Sequence, residues 1–185
     1  MNKNNAFIHG IIPGGLTTTN EIRVLVCWLA SRQPEGVPQN LLIDSLTLEG
    51  LANYFEITAA ISALLENGQV ILEGDCVKLG GEGRRAAALL GDEIPPAVRE
   101  KAAAALDRMV GLAKNRSETD VQIIKVSDGY VVRCSVLDIG TDLFSVSLFA
   151  PTREQAEGIR DHFLQDPGRL YQYNLFLLTG EDYTE

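Results

Sequence analysis

The chain lacks any apolar run long enough to cross a bilayer. Its longest, Val24–Ala30 and Ala102–Leu106, fall far below the roughly 18 residues that a spanning helix needs. The first ten residues carry one base, Lys3, and no extended apolar stretch ahead of a small-residue cleavage site. No secretory leader is therefore expected, and the chain reads as a soluble, cytoplasmic protein of bacterial type. Cysteine is scarce: Cys27, Cys76 and Cys134 are odd in number and far apart. That spacing excludes a disulfide framework and any CxxC redox or metal motif, leaving free thiols in apolar surroundings as the expectation. Two histidines, His9 and His162, are too few and too distant to complete a metal site. No GxSxG elbow is present, and Gly14-Gly15 and Gly80-Gly81-x-Gly83 lack the strand-to-helix setting and the lysine of a phosphate loop. Glu154 and Glu157 fall near helical spacing, where two carboxylates form a solvated face. The sequence thus predicts no catalytic residue, no cofactor and no metal.

Basic charge is also in deficit. Sixteen Lys and Arg stand against 25 Asp and Glu, a net charge of -9. Neutralisation of phosphates by bases supplies most nonspecific nucleic-acid affinity, so the deficit argues against a broad DNA- or RNA-coating role. Neither half compensates: residues 1–92 hold six bases against ten acids, and the remainder ten against fifteen. A nucleic-acid surface would have to be a local patch.

What is present is an ordinary globular composition, 45% hydrophobic and 22% charged over 185 residues, enough for two small domains. Thr18-x-x-Glu21 has capping-box spacing ahead of Ile22, Leu25, Val26 and Leu29, which share one helical face. Pro34-Glu35-Gly36 ends that helix, and Pro38 suits the first position of a second, buried through Leu41, Leu42 and Leu46. Asn53-Tyr54-Phe55-Glu56 opens a third, with Ile57, Ile61, Leu64 and Leu65 at helical spacing and Asn67-Gly68 as its stop. Val70–Leu72 and Cys76–Leu79 around Glu73-Gly74-Asp75 form a hairpin, the wing, before a fourth short helix holding Ala88 and Leu89 and ending by Gly91. A long alanine-rich helix follows from Pro96 to about Arg116. Its Val98, Ala102, Ala105, Met109 and Leu112 alternate four and three apart, which suits either a dimer seam or packing on its own domain. Beyond it, Val121–Val126, Tyr130–Val136 and Phe144–Leu148 read as a three-stranded meander turning at Asp128-Gly129 and Gly140-Thr141-Asp142. Pro151-Thr152-x-x-Gln155 caps a helix burying Ala156, Ile159 and Phe163, and Leu170–Leu178 reads as a final apolar strand.

The fold class is therefore α/β in the α+β sense. It comprises a tail over 1–15, a winged helix-turn-helix domain over 16–92, a connecting or dimerisation helix over 93–117, and an antiparallel β-β-β-α-β domain over 118–185. Tyr54-Phe55-x-x-x-x-Ala60-Ile61-x-x-Leu64-Leu65-Glu66-Asn67-Gly68, Gly83-Arg84 and Ile94-Pro95 resemble an uncharacterised bacterial family with a PadR/MarR-like winged helix. Asp128-Gly129-Tyr130-Val131-Val132 and Pro151-Thr152-x-x-Gln155-Ala156 are similar to that family's C-terminal domain. The family is one of unknown function, and the resemblance implies the fold and a regulatory role.

In a helix-turn-helix the second helix of the pair enters the major groove. Here that third helix offers Tyr54, Thr58 and Ser62 for groove contact, with Lys78 on the wing and Arg84 and Arg85 beyond it for phosphate. Direct readout commonly uses Arg, Lys, Asn or Gln, and Tyr54–Glu66 contains none. The expected function is a winged-helix transcriptional regulator binding DNA as a homodimer. The alternative is a protein-interaction adaptor that kept the winged helix and lost DNA contact.

Overall fold

A computed structural model of the protein describes Ile11 and residues 15–138 and 141–180. Most of the expected N-terminal tail, with His9, and the Gly140 turn lie outside the described residues. The structure is mixed α+β and divides into two compact units after Val110. No described helix is long and apolar enough to cross a membrane.

The first unit begins with α1 (Thr19–Ser31). Thr18 caps it as the spacing predicts: its hydroxyl accepts from the Glu21 N–H at 3.2 Å, and the Glu21 carboxylate accepts from the Thr18 N–H at 3.0 Å. Such a cap contributes about 1 kcal/mol. There follow β1 (Val37–Pro38), α2 (Gln39–Leu48), α3 (Tyr54–Glu66), the hairpin β2 (Val70–Glu73) and β3 (Cys76–Leu79), α4 (Gly81–Leu90), a 3-10 turn over Gly91–Glu93 and α5 (Pro96–Ser117). This is the order of a winged helix-turn-helix. One strand was not foreseen: Val37 and Pro38 pair antiparallel with Val77 and Cys76, which makes a three-stranded sheet ordered β1-β3-β2. Pro38 therefore sits on a sheet edge, where a missing N–H is tolerated, and α2 starts one residue later. Leu42 and Leu46 are buried as expected, while Leu41 is only half-buried. In α4 the inward side is Gly83 and Ala87, and the expected Ala88 and Leu89 face solvent.

The long helix α5 closes this core. Val98, Ala102, Ala103 and Leu106 join the cluster built on Ile22, Leu25, Leu29, Leu46, Ile57 and Ile61. The seam expected to offer itself to a second copy is thus spent inside the chain over Val98, Ala102 and Ala105, all buried; Met109 and Leu112 keep partial exposure. Alanine's small side chain explains this, since it lets a helix sit close enough to seal a neighbouring core.

The second unit carries β4 (Thr119–Val126), β5 (Gly129–Asp138), β6 (Thr141–Ala150), α6 (Arg153–Gln165) and α7 (Pro167–Thr179). The strands form the predicted antiparallel meander, ordered β4-β5-β6. Its first turn is Ser127-Asp128, with Gly129 already paired to Val126. Gly129 is required for proximity: a Cβ there would press on the Ala150 carbonyl and the Phe149 ring. Val132 and Cys134 pack with Ala156, Phe163 and Leu164, so α6 covers one sheet face.

The final element corrects the sequence reading. Leu170–Leu178 is helical, and the unit is β-β-β-α-α. Asp166 caps the helix by accepting from the Arg169 N–H at 3.0 Å, Pro167 occupies its first turn, and Gly180 ends it at φ +74°. These terminal signals outweigh a run in which Gln172 and Asn174 alternate with apolar residues as in a strand.

Glu49, at the end of α2, ties α5 down. Arg108 donates to its carboxylate at 2.8 Å, Lys101 lies 3.3 Å from its other oxygen, and Lys101 also donates to its carbonyl at 3.0 Å. The hydrogen bonds from Arg108 and Lys101 hold the carboxyl below the ordinary 4.5. A depressed folded-state value means that this stabilisation is complete above 4.5 and is lost as pH falls through the lowered value. Glu49→Gln is expected to melt below the wild type at neutral pH, with the gap closing in acid. Thermal melts across a pH series check this, and a gap independent of pH would refute it.

Candidate nucleic-acid interface

Helix α3 is positioned from both sides of its length. Asn53 caps its start, accepting from the Phe55 N–H at 2.9 Å. Ile57, Ala60, Ile61 and Leu64 bury its inner side. The remaining side carries Tyr54, Phe55, Ala59 and Ser62, with Thr58 half-exposed at its margin. Tyr54 is 50% and Phe55 72% exposed, and their rings meet edge to face with centroids 5.6 Å apart.

The two hydroxyls assigned to groove contact are already engaged. Thr58 Oγ1 donates to the Tyr54 carbonyl at 2.9 Å and Ser62 Oγ to the Thr58 carbonyl at 3.0 Å. Such back-bonding is common for Ser and Thr inside helices, and it turns the protons away from an incoming base edge. Their oxygens can still accept, which suits donors on a partner.

The cations of the hairpin and α4 are similarly occupied. Lys78 Nζ lies 2.8 Å from the Glu73 carboxylate across β2 and β3, and that hydrogen bond holds the ammonium above its ordinary range. Arg84 donates to the Leu79 carbonyl at 3.2 Å. Arg85 lies 3.0 Å from Glu82 one turn earlier. That last pair is fully surface-placed, where such contacts are worth little, so Arg85 is the cation most readily redirected to another anion.

Two of the six residues, Lys78 and Arg84, share a cleft of about 840 Å³ with Trp28, Gln33, Ile71 and Asp92, and no residue of α3 lines it. Trp28 also stacks under two guanidinium groups, Arg32 at 5.4 Å and Arg99 at 5.7 Å from its ring centre, and Arg99 pairs with Asp92. Cations flanking an indole face are held by its quadrupole. Nothing in the sequence pattern singled out Trp28, because its arginine neighbours come from places 4 and 71 residues along the chain. Phe55 was within reach: it lies off the buried spacing of Ile57, Ile61 and Leu64, so its ring had to point outward.

Other chemistry is sparse. Cys27 and Cys134 are buried and Cys76 half-buried, all as free thiols, and burial pushes the Cys27 thiol up to about 11. Among the described residues no cluster of His, Cys, Asp or Glu is arranged to hold a metal ion. His162 Nδ1 lies 3.2 Å from the Gly158 carbonyl, one turn back on α6.

Residues 22–178 match the family model for DUF4364, described as a domain of unknown function. The chain belongs to the DUF4364 family. Comparison with curated proteins and with solved structures gave no match. The match runs through both units of this DUF4364 chain, from α1 to the last turn of α7.

The glycines before and within α4 have a packing role. A Cβ at Gly80 would collide with the Gly68 carbonyl, and one at Gly83 with the Gln69 carbonyl, whereas one at Gly81 would meet nothing within 4 Å. These glycines let α4 lie directly on the backbone that leads into β2, which sets the hairpin's position relative to α3. Gly83→Ala is expected to destabilise the protein by about 1–3 kcal/mol, the usual cost of overpacking, and Gly81→Ala by less than about 0.5 kcal/mol. Urea unfolding of the pair provides the check, and equal effects would contradict this account.

Proposed function

We propose that this chain is an interaction adaptor, a winged helix whose α3 side docks a protein partner, and that its work is binding and not catalysis. The observation that supports the reading is the outward side of α3: an exposed aromatic pair, hydroxyls bonded to their own helix, and no base. Aromatic side chains dominate the energetics of protein interfaces, while a DNA-reading helix needs long donors that reach base edges. Leu48, at the other end of the turn between α2 and α3, is 77% exposed and adds apolar surface to the same region of the chain.

A second reading, a transcriptional regulator akin to PadR/MarR-type winged helices, is favoured by the element order and by Lys78 and Arg84 lying in one cleft. It requires those cations to leave Glu73 and the Leu79 carbonyl for phosphate, in a chain of net charge -9. The balance of these terms favours the adaptor.

The two readings part experimentally. A photo-crosslinking residue at Ala59 is expected to give a discrete protein adduct in cells, lost on Phe55→Ser, while selection from random duplexes at low salt enriches none. A duplex whose binding weakens on Arg84→Ala with Arg85→Ala, with a flatter salt dependence, would overturn the adaptor reading. Absence of any Phe55-dependent adduct would overturn it as well.

A further inference from the structure

The two edges of the second sheet are protected differently. Edge strand β4 carries Asp120 and Lys125 along its length, and charges on an edge strand discourage a further strand from pairing there. Edge strand β6 carries no charge, proline or glycine over Leu143–Ala150. Its single charge, Asp142, is turned back onto its own sheet, 2.8 Å from Arg133. Among the described residues no strand pairs with the outer side of β6. A long, uncharged edge with a free row of backbone donors and acceptors is a template for another strand.

We infer that β6 is the self-association surface of this protein, pairing antiparallel with β6 of a second copy to make a continuous six-stranded sheet. The choice of occupant follows from charge. A two-fold antiparallel contact sets residues at equal distances on either side of the axis opposite each other, so in a chain of net charge -9 an uncharged stretch about the axis keeps like charges from facing, and Leu143–Ala150 supplies one. Val146, at its middle, pairs with Cys134 of β5, and Phe144 and Leu148 share its side of the strand. Pairing about Val146 places Phe144 of each copy opposite Leu148 of the other, apolar against apolar.

Helix α7 lies beside this edge. It is fixed near the edge by Tyr171 against Phe144, ring centres 6.0 Å apart, and its Leu170 packs on the same sheet face as α6. Its outer side is also apolar: Tyr173, Phe176 and Leu177, spaced three and four apart, are all exposed. On β6 itself Leu143, Leu148 and Phe149 are exposed. The inference concerns the second unit and stands apart from the reading of α3.

Sedimentation equilibrium of the full chain, with circular dichroism melts to confirm folding, tests it. Wild type is expected to be dimeric at tens of micromolar, an order of magnitude suited to a modest interface. Ser147→Lys and Leu148→Lys, both on exposed positions of β6, are expected to weaken dimerisation at least about tenfold, and Gln122→Lys on β4 to leave it unchanged. A monomeric wild type, a dimer indifferent to both β6 variants, or a dimer weakened equally by Gln122→Lys would overturn the assignment.

Discussion

Enclosure of α1 is the constraint on which the first unit depends. Val24, Leu25, Val26 and Cys27 are all buried, and four consecutive residues sweep a full turn of helix. A helix apolar nearly all round must be covered on nearly every side. The surrounding elements are those that remain after this demand is met: α3, α4, β3 and the Gly91–Glu93 turn contact α1 directly, and α5 seals the rest through Val98, Ala102 and Leu106. Close approach then dictates composition. Gly91 lies so near the Trp28 ring that a Cβ would press into it, and Gly83 rests on the Gln69 carbonyl. With its inner side committed to this core, α3 has only its outer side left to vary, and there the surface chemistry of the protein is written.

Much of this was legible in the sequence where local signals and periodicity agreed. The Thr18–Glu21 and Thr152–Gln155 caps, the stop at Gly68, the Gly74-Asp75 turn and the spacing of Ile57, Ile61 and Leu64 each name a local geometry that burial then uses. The failures have physical causes. Strand β1 is two residues long and exists only because β3 lies beside it, so no local pattern announces it. In α7 Gln172 and Asn174 alternate with Tyr171, Tyr173 and Leu175, a period of two that imitates a strand; Asp166-Pro167 at its head and Gly180 at its end carried the information. Ala88 and Leu89 face outward because α4 turns its glycine toward the β2 backbone, a packing choice invisible in hydrophobicity. For the candidate site, the residues were named but their partners were not. Glu73 beside Lys78 depends on strand register, and the two arginines on Trp28 depend on tertiary folding.

The charge balance explains why the cations are taken. With acids outnumbering bases, a base on this surface has a carboxylate within reach, and the folded chain shows the consequence: Lys78 with Glu73, Arg85 with Glu82, Arg32 with Asp107, Arg99 with Asp92, Lys101 and Arg108 sharing Glu49. Exposed pairs of this kind contribute little to stability. Their larger effect is on recognition, since a phosphate must compete with a carboxylate already in place. A winged-helix order does not by itself confer a DNA surface: α3 carries no base, and Lys78 of the hairpin is already paired with Glu73.

The same balance bears on self-association. Alanine-rich α5 has the spacing of a coiled-coil seam, yet Val98 and Ala102 seat it on the first unit's core, and Ala105 is buried as well. A net negative chain then has few surfaces on which two copies can meet without setting like charges face to face. In the second unit α6 takes up one face of the sheet, and Asp120 and Lys125 guard the β4 edge. The β6 edge keeps a free backbone row and a run without charge, with the apolar outer side of α7 nearby. What holds the second unit's sheet together, an alternation that sends Val132, Cys134 and Val146 inward, is also what leaves its last strand neutral over Leu143–Ala150 and open to a further strand.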